Sequence, residues 1–320
     1  MEVSRIQLPT PFEFETVNVY LLVADELTLI DTGLNSPASK DGLRQGLSAV
    51  GVDVADIDRV LVTHPHMDHF GLARWIADRS GAEVYAHEDA TSMLADLDGY
   101  FQRELTHLVP FLESMGVPPD VARRMVVEPE NDYTGLWEDV RPDVTLTSGD
   151  VVDVGTELTV LETPGHSPAS ISFLDREGER AFVGDHVDGP YVPTPLVCLQ
   201  PDANGERTRS LPAYLDALER IRLFDEATFH PGHGATIEDP AGRIDEIVET
   251  VRSGVRKAAG VLRSNGPLTA YELHVELFDD HRAMDTIATQ SIAIGYLDVL
   301  EDEGRVTVDR QNEPVIYNLG

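Results

Sequence analysis

The sequence predicts an α/β layered architecture, and three observations carry that expectation. Short β-branched apolar runs alternate with stretches of helical spacing from residue 17 to residue 87. A block of helical pattern punctuated by proline and glycine follows at 89–140, and short strands return from Val144. Three of those later strands stop at polar turns beside glycine. At 320 residues the chain can build one large domain, or a large domain and a small one, around a substantial core.

Taken in order, VNVYLLVADELTLIDTG at 17–33 holds two apolar runs around a short acidic turn and reads as a β-hairpin ending at Asp31 and Gly33. Leucine spacing predicts a helix over 40–50, IDRVLV at 57–62 a buried strand, residues 72–79 a second helix and AEVYAH at 82–87 another strand. TSMLADLDGYFQRELTHLVPFLESMG and PPDVARRMV are helical in pattern and predict an insertion over 89–140 that covers a site. TLTSGDVVDVGTELTVLETPGH, ASISFLD and RAFVGD then predict strands. A long helix follows PGHG, and SNGP at 264–267 reads as a linker. Beyond it come a helix with Thr269 as N-cap, a helical region ending at Gly304, and an alternating segment, RVTVDRQNEPVIYNL.

The charge balance is extreme: 57 acidic against 24 basic residues give a formal net charge of -33, and Lys40 and Lys257 are the only lysines. Such a surface suits a halophilic cytoplasm, where screening shortens the range of self-repulsion. It repels nucleic acid and anionic membrane unless a local patch reverses the sign. Cys198 is the single cysteine, which excludes an internal disulfide and a cysteine-based zinc site. The first twenty residues lack the apolar stretch of a signal peptide, so a soluble, cytoplasmic protein is expected.

VTHPHMDHFG at 62–71 carries three histidines and an aspartate within six positions, where a strand gives way to a helix. In an extended segment His64 and His66 point the same way, while Asp68 and His69 fall where the chain turns. Four ligands divided between two adjacent ions suit that geometry. TPGHS, FVGDH and FHPGHG then present His166, Asp185 and His233, each after a strand. The expected division gives His64, His66 and His166 to one divalent ion, Asp68, His69 and His233 to the other, and places Asp185 between them. Imidazole and carboxylate without thiolate favour zinc first, then manganese or iron.

With LIDTG, THPHMDH, TPGHS, GD and PGHG in this order, the sequence resembles the metallo-β-lactamase superfamily of metallo-hydrolases over about residues 14–240. The resemblance implies an αββα sandwich with the metals at one edge between the sheets. It implies the same ligand set, with Asp185 bridging and Asp31 holding the metal loops from behind. The glyoxalase II-like and LACTB2-like branches are most similar. HFGLA replaces a commoner double glycine, and no basic clamp for a glutathione moiety is recognisable. The short segment between Asp185 and His233 leaves no room for the β-CASP nuclease insertion, and Asp68 and His69 in place of a cysteine argue against a true β-lactamase.

His186 and Tyr191 are candidates for a substrate pocket, each with an ordinary loop or packing role as the alternative. His230 is expected to point away from the site, and His87, His107, His274 and His281 to lie outside it. Cys198 reads as a small buried hydrophobe. The expected domains are a catalytic unit, 1–263, and a C-terminal unit, 264–320, which resembles a winged helix. That tail holds 11 acids and 3 arginines, the wrong sign for DNA, and is expected to pack, dimerise or cover substrate.

The activity these readings imply is hydrolysis of an ester or thioester of a small acyl compound by a metal-bridging hydroxide, with Asp68 orienting it and taking its proton. Two alternatives stand beside it: a single-stranded RNA endoribonuclease of the LACTB2-like type, and a non-catalytic metal-binding regulator. The expected partners are a small-molecule substrate and a second copy of the chain, not nucleic acid or membrane.

Overall fold

A computed structural model describes the chain from Met1 to Gly320, apart from residues 13, 133–134, 190, 201–205, 225–226, 279–285 and 312 and the side chains of 127–132. The first sheet holds β1 (Glu2–Pro9), β2 (Thr16–Val23), β3 (Leu27–Ile30), β4 (Arg59–Leu61), β5 (Glu83–His87) and β6 (Val144–Leu146), in that spatial order. Its first three strands form an antiparallel meander and the rest run parallel. The hairpin of β2 and β3 stands where the sequence predicts it. No local signal announces β1, a largely polar strand that buries only Ile6 and Leu8 and is held by full pairing from Glu2–Val23 to Pro9–Thr16.

The second sheet orders β7 (Val151–Asp153), β8 (Glu157–Glu162), β9 (Ile171–Asp175), β10 (Arg180–Gly184) and β11 (Thr228–Pro231) as β11-β10-β9-β8-β7. Only its β10–β11 pair is parallel, and the helix α7 described below makes the crossover between them. Strand alternation sorts the residues into layers. Tyr20, Leu22, Ile30 and Leu61 face Val152, Leu158, Phe173 and Phe182 across the gap between the sheets. Val19, Leu21, Leu29 and Val60, on the opposite face, pack on α1 (Pro37–Ala49) and α3 (Ala73–Ser80) through Leu43, Leu47 and Ile76. The outer face of the second sheet, including Leu174, Ala181, Val183 and Phe229, meets α7 (Ser210–Ile221) and α8 (Pro240–Asn265). Helix, sheet, sheet and helix therefore stack in that order.

Caps place the helices. Ser36 accepts from the Ser39 N–H at the start of α1, and Gly81, at φ 79°, ends α3. Among the described residues the predicted insertion holds three α-helices, α4 (Thr91–Ala95), α5 (Leu97–Ser114) and α6 (Pro119–Asp132), with the one-turn α2 (Met67–Phe70) lying earlier in the chain.

The tail has the expected order, α9 (Ala270–Leu277), α10 (Ile287–Asp302) and a hairpin of β12 (Val306–Asp309) and β13 (Ile316–Leu319). The residues expected to form a linker are instead the end of α8 and a tight exit, with Gly266 at φ 85° and Leu268 paired to Tyr317 in both directions. Leu273, Ile294, Leu297 and Tyr317 of the tail share one apolar cluster with Leu108 and Leu112 of α5, Met125 of α6 and Leu262 of α8. The tail also bonds to the end of α5, through Tyr271 N–H to Met115 O and Val315 N–H to Ser114 O.

One charged pair fixes α10 against the segment that precedes α7. Arg207 makes a bidentate bond to Asp298, at 2.7 and 2.6 Å, and Asp298 is 1% exposed. Arg207→Met leaves that carboxylate buried with, among the described residues, only the Arg209 guanidinium beside it, at 3.5 Å. The expected loss is about 3 kcal/mol of stability, read from urea unfolding midpoints. A change below about 0.5 kcal/mol would mean the pair is a bystander.

Candidate metal centre

All seven predicted donors lie at one edge of the sandwich, just past strand ends. His64 and His66 follow β4, Asp68 and His69 occupy α2, His166 follows β8, Asp185 follows β10 and His233 follows β11. The cluster at 64–69 thus meets His166, Asp185 and His233 from three distant segments, because parallel neighbours such as β10 and β11 end together.

Their donor atoms fall into two groups, His64, His66, His166 and Asp185, and Asp68, His69 and His233, each within 4.8 Å. In the first, His66 Nδ1 lies 3.1 Å from His64 Nε2 and 2.9 Å from His166 Nε2, and Asp185 Oδ2 lies 3.8 and 3.5 Å from those same two Nε2 atoms. In the second, Asp68 Oδ2 lies 3.7 Å from His69 Nε2 and 3.5 Å from His233 Nε2. Asp185 spans both, with Oδ1 3.3 Å from His69 Nε2 and Oδ2 3.3 Å from His233 Nε2. Donors bound at about 2.0–2.1 Å around a tetrahedral ion stand about 3.3 Å apart, so these separations are of the right size.

The outward nitrogens decide what points inward. His69 Nδ1 is 2.8 Å from Asp31 Oδ2, His166 Nδ1 is 3.2 Å from Thr194 O and His233 Nδ1 is 2.8 Å from Thr16 O. Carbonyl and carboxylate oxygens only accept, so each Nδ1 carries a proton and leaves the Nε2 lone pair for the centre. Thr63 Oγ1 donates to Asp31, 2.8 Å away, and accepts from His64 Nδ1 at 3.1 Å. Asp31 also accepts from the Thr63 N–H at 2.8 Å and sits at φ 59°, a conformation uncommon for a non-glycine residue. Asp31 thus orients ligands on both sides through its contacts to His69 and Thr63.

Four buried atoms of the set, Asp68 Oδ2, His69 Nε2, Asp185 Oδ1 and His233 Nε2, have no hydrogen-bond partner among the described residues. Such orphans cost roughly 1–3 kcal/mol each when nothing binds them. A set of nitrogen and oxygen donors with unused inward lone pairs fits two divalent cations, and these residues could hold them.

Electrostatics divide the same residues. Burial, reinforced by neighbouring imidazoles, holds His64 and His66 well below the ordinary histidine value, and burial also lowers His166. Burial opposes protonation of His69 too, yet the carboxylates of Asp185, Asp68 and Asp31 push it well above that value. His233 is raised to about 9 against burial, chiefly by Asp185. Burial raises Asp68, while for Asp185 the nearby His69 and His233 overcome burial and hold it low.

Two glycines are required by space. A Cβ on Gly232 would stand 2.1 Å from Asp185 Oδ1 and 2.7 Å from His69 Cε1, inside the cradle. Gly184, at φ 49°, would meet Thr63 Oγ1 at 2.7 Å. In HFGLA, Gly71 has backbone on three sides, whereas Leu72 is buried in the core against the first sheet and places nothing at the centre.

The other sequence candidates separate. Tyr191 lines the cavity beside the donors and is 43% exposed at its rim, 6.2 Å from the Phe14 ring. His186 is not among the cavity-lining residues; it is buried edge-on to Tyr214, with burial lowering it to about 3. His230 stacks on Phe182, away from the donors, and His281 lies outside the described residues. Cys198 is hydrogen-bonded to Thr208 and raised to about 12 by burial, which removes any thiolate character.

Sequence reasoning did not find Thr63, Asp188 or Phe14. Asp188 Oδ1 accepts from the His233 N–H at 3.2 Å, and its own carbonyl accepts from Arg243 Nε at 2.7 Å. The Phe14 ring lies 3.8 Å from the His233 ring. Asp188 is close in sequence to Asp185, but nothing local in DHVDG marks it as buried.

Fold and donor set together define a metal-dependent hydrolase class, and comparison with known proteins agrees. The sequence model of the metallo-beta-lactamase superfamily matches residues 13–233, and the chain belongs to that superfamily. It is 28% identical over 306 residues to "Probable metallo-hydrolase YqjP" of Bacillus subtilis, across 96% of this chain and 94% of the relative. It is 32% identical over 185 residues to "Acyl-coenzyme A thioesterase MBLAC2" of Gallus gallus, across 55% of this chain and 59% of that protein. The crystal structure of a metallo-beta-lactamase family protein from Thermus thermophilus superposes with a TM-score of 0.80 at 26% identity, covering 99% of this chain and 98% of the other.

Two outcomes follow for the metal-free protein. The carboxylates raise His233 to about 9 and push His69 upward, so loading at pH 7.5 should expel protons from this pair, and affinity should fall as pH drops below about 9. Calorimetry in two buffers of different ionisation enthalpy counts those protons, and a count of zero contradicts the assignment. Gly232→Ala should abolish metal retention on equilibrium dialysis, because its methyl group occupies the space of the Asp185 oxygen.

Proposed function

We propose that this chain is a dinuclear metal-dependent hydrolase of carboxylic esters or thioesters, with His64, His66, His166 and Asp185 around one ion and Asp68, His69, His233 and Asp185 around the other. Zinc suits a set of imidazoles and carboxylates without thiolate, and manganese or iron can occupy the same donors. The observation that carries the substrate reading is a cavity of about 680 Å³ onto which His66, Asp68, His166 and Asp185 open. Among the described residues, its wall contains many apolar side chains and neither lysine nor arginine. A pocket of that size and polarity suits a small organic substrate.

When bound, the ions supply Lewis acidity and lower the pKa of a water near them. The chain's own groups do the rest. Asp68, whose carboxyl burial raises, can accept a proton at whichever carboxylate oxygen is not holding an ion. Asp31 and Thr63 hold His69 and His64 in one orientation. Phe12, Phe14 and Tyr191 line the cavity near these donors and keep bulk water from the reacting bond. The chicken relative is named for acyl-coenzyme A thioesterase activity, which points the same way.

Single-stranded RNA cleavage is less well supported, since phosphates need cations and the described wall of the cavity has none, on a chain of net charge -33. The deciding quantity is the rate on an acyl-thioester pool relative to that on a single-stranded RNA oligomer, in molar KCl with zinc or manganese. A high ratio is expected, and a low one overturns the substrate class. Asp185→Ala and His66→Ala should lose metal and turnover together. Asp31→Asn should lower metal affinity only about 10–100-fold, as changes behind a ligand do. Full turnover in either ligand variant contradicts the centre.

A further inference from the structure

The cavity extends well beyond the donors, and its far wall belongs to elements outside the sandwich. Met93 of α4, Leu97, Phe101 and Leu108 of α5, Met125 of α6 and Val197 line it, and Ile287 of α10 joins them. The helical insertion and the first residue of α10 therefore enclose one apolar space that ends at His66 and His166.

Among the described residues, the only carboxylate in this wall apart from the donors is Glu104, and it is committed to the protein. Its Oε1 accepts from Tyr100 Oη at 2.6 Å and from the Leu199 N–H at 2.8 Å. Burial also pushes its carboxyl up, toward the neutral form. No described lysine or arginine lines the space to receive an anionic tail. An occupant carrying a charge at its distal end would lose its hydration without gaining a counterion.

The geometry points to an acyl-chain pocket: the substrate's carbonyl lies at the donors and its acyl group is an unbranched, uncharged apolar chain running between α5, α6 and α10. At about 30 Å³ per water-sized unit, the cavity holds on the order of twenty such units, which accommodates a chain of about six to twelve carbons with its head group. This inference rests on the ester or thioester reading above and adds the nature of the acyl group.

Saturated free fatty acids of two to sixteen carbons, titrated into the metal-free protein, test the pocket without turnover. Affinity should rise about fourfold per methylene, the equivalent of ~0.8 kcal/mol per buried CH₂, and level off once the cavity is full. The holoenzyme should show the same rise in kcat/KM along a series of acyl-N-acetylcysteamine thioesters. Leu108→Trp and Met125→Trp should each lower the ratio of kcat/KM for the ten-carbon thioester to that for the acetyl thioester at least tenfold. The wild-type binding series stands by itself if a tryptophan variant fails to fold. Affinity independent of chain length overturns the pocket, as does an unchanged length preference in folded variants of both positions. Hydrolysis of acetyl and decanoyl thioesters at equal rates would sink the pocket and leave the proposed activity standing. Length-dependent binding with no ester or thioester turnover would do the reverse.

Discussion

Seven side chains are held with their nitrogen and oxygen lone pairs turned inward at a largely buried edge of the sandwich, and much of the molecule serves that constraint. Four of those atoms are buried and unpartnered among the described residues, an arrangement that a folded chain tolerates only where something positively charged repays it. The outward side of the cluster is correspondingly rigid. Three histidines each give an Nδ1 proton to a fixed acceptor, on Asp31, Thr194 or Thr16, and those acceptors lie on different parts of the fold. Asp31 accepts a left-handed backbone conformation to reach both Thr63 and His69. That is a local strain offset by three hydrogen bonds.

The two sheets provide the rigidity. Their shared core between Tyr20, Leu22, Ile30 and the facing Phe173 and Phe182 sets the spacing of the sheets, and so the spacing of loops that end strands from each. Thr16, at the first residue of β2, holds a histidine that follows β11 in the other sheet. Asn18 repeats the connection, donating its side-chain amide to Pro231 O at 2.9 Å. The centre is therefore a joint between sheets as much as a site upon them.

The helical parts do different work. The insertion and the tail share one apolar cluster with α7 and α8, so neither is an appendage tethered to the sandwich. Burying the inner faces of α5, α6 and α10 against one another leaves a cavity between them that opens at the donors. The tail thus shapes the space in front of the centre while contributing none of the seven donors. The strongly acidic surface elsewhere is a separate matter of solubility and solvent, because the described wall of the cavity carries no net array of charge apart from its donors.

Much of this was legible in the sequence. Alternation in 17–33, the apolar run ending at Val62 and the glycine-flanked stops at His166, Asp185 and His233 are local signals, since strand period, turn chemistry and ligand type are properties of neighbouring residues. They placed most strands and helices and the insertion, and picked out seven side chains that the fold brings together. What they could not supply was any relation between residues distant in the chain. β1 is mostly polar and is a strand because β2 pairs with it. SNGP looked like a tether, but Leu268 pairs with Tyr317 and closes it. His186 stands next to Asp185 in sequence, yet the strand end turns it under α7 against Tyr214 rather than into the cavity. Thr63 heads the THPHMDH motif without being a ligand type, Asp188 and Phe14 stand in no motif, and only their distances to His64 and His233 give the three a part. The sequence by itself determined which atoms can bind and roughly which elements carry them. The tertiary structure alone decided which lone pairs face one another and which side chains enclose the space before them, because burial and direction arise from packing between segments and not within them.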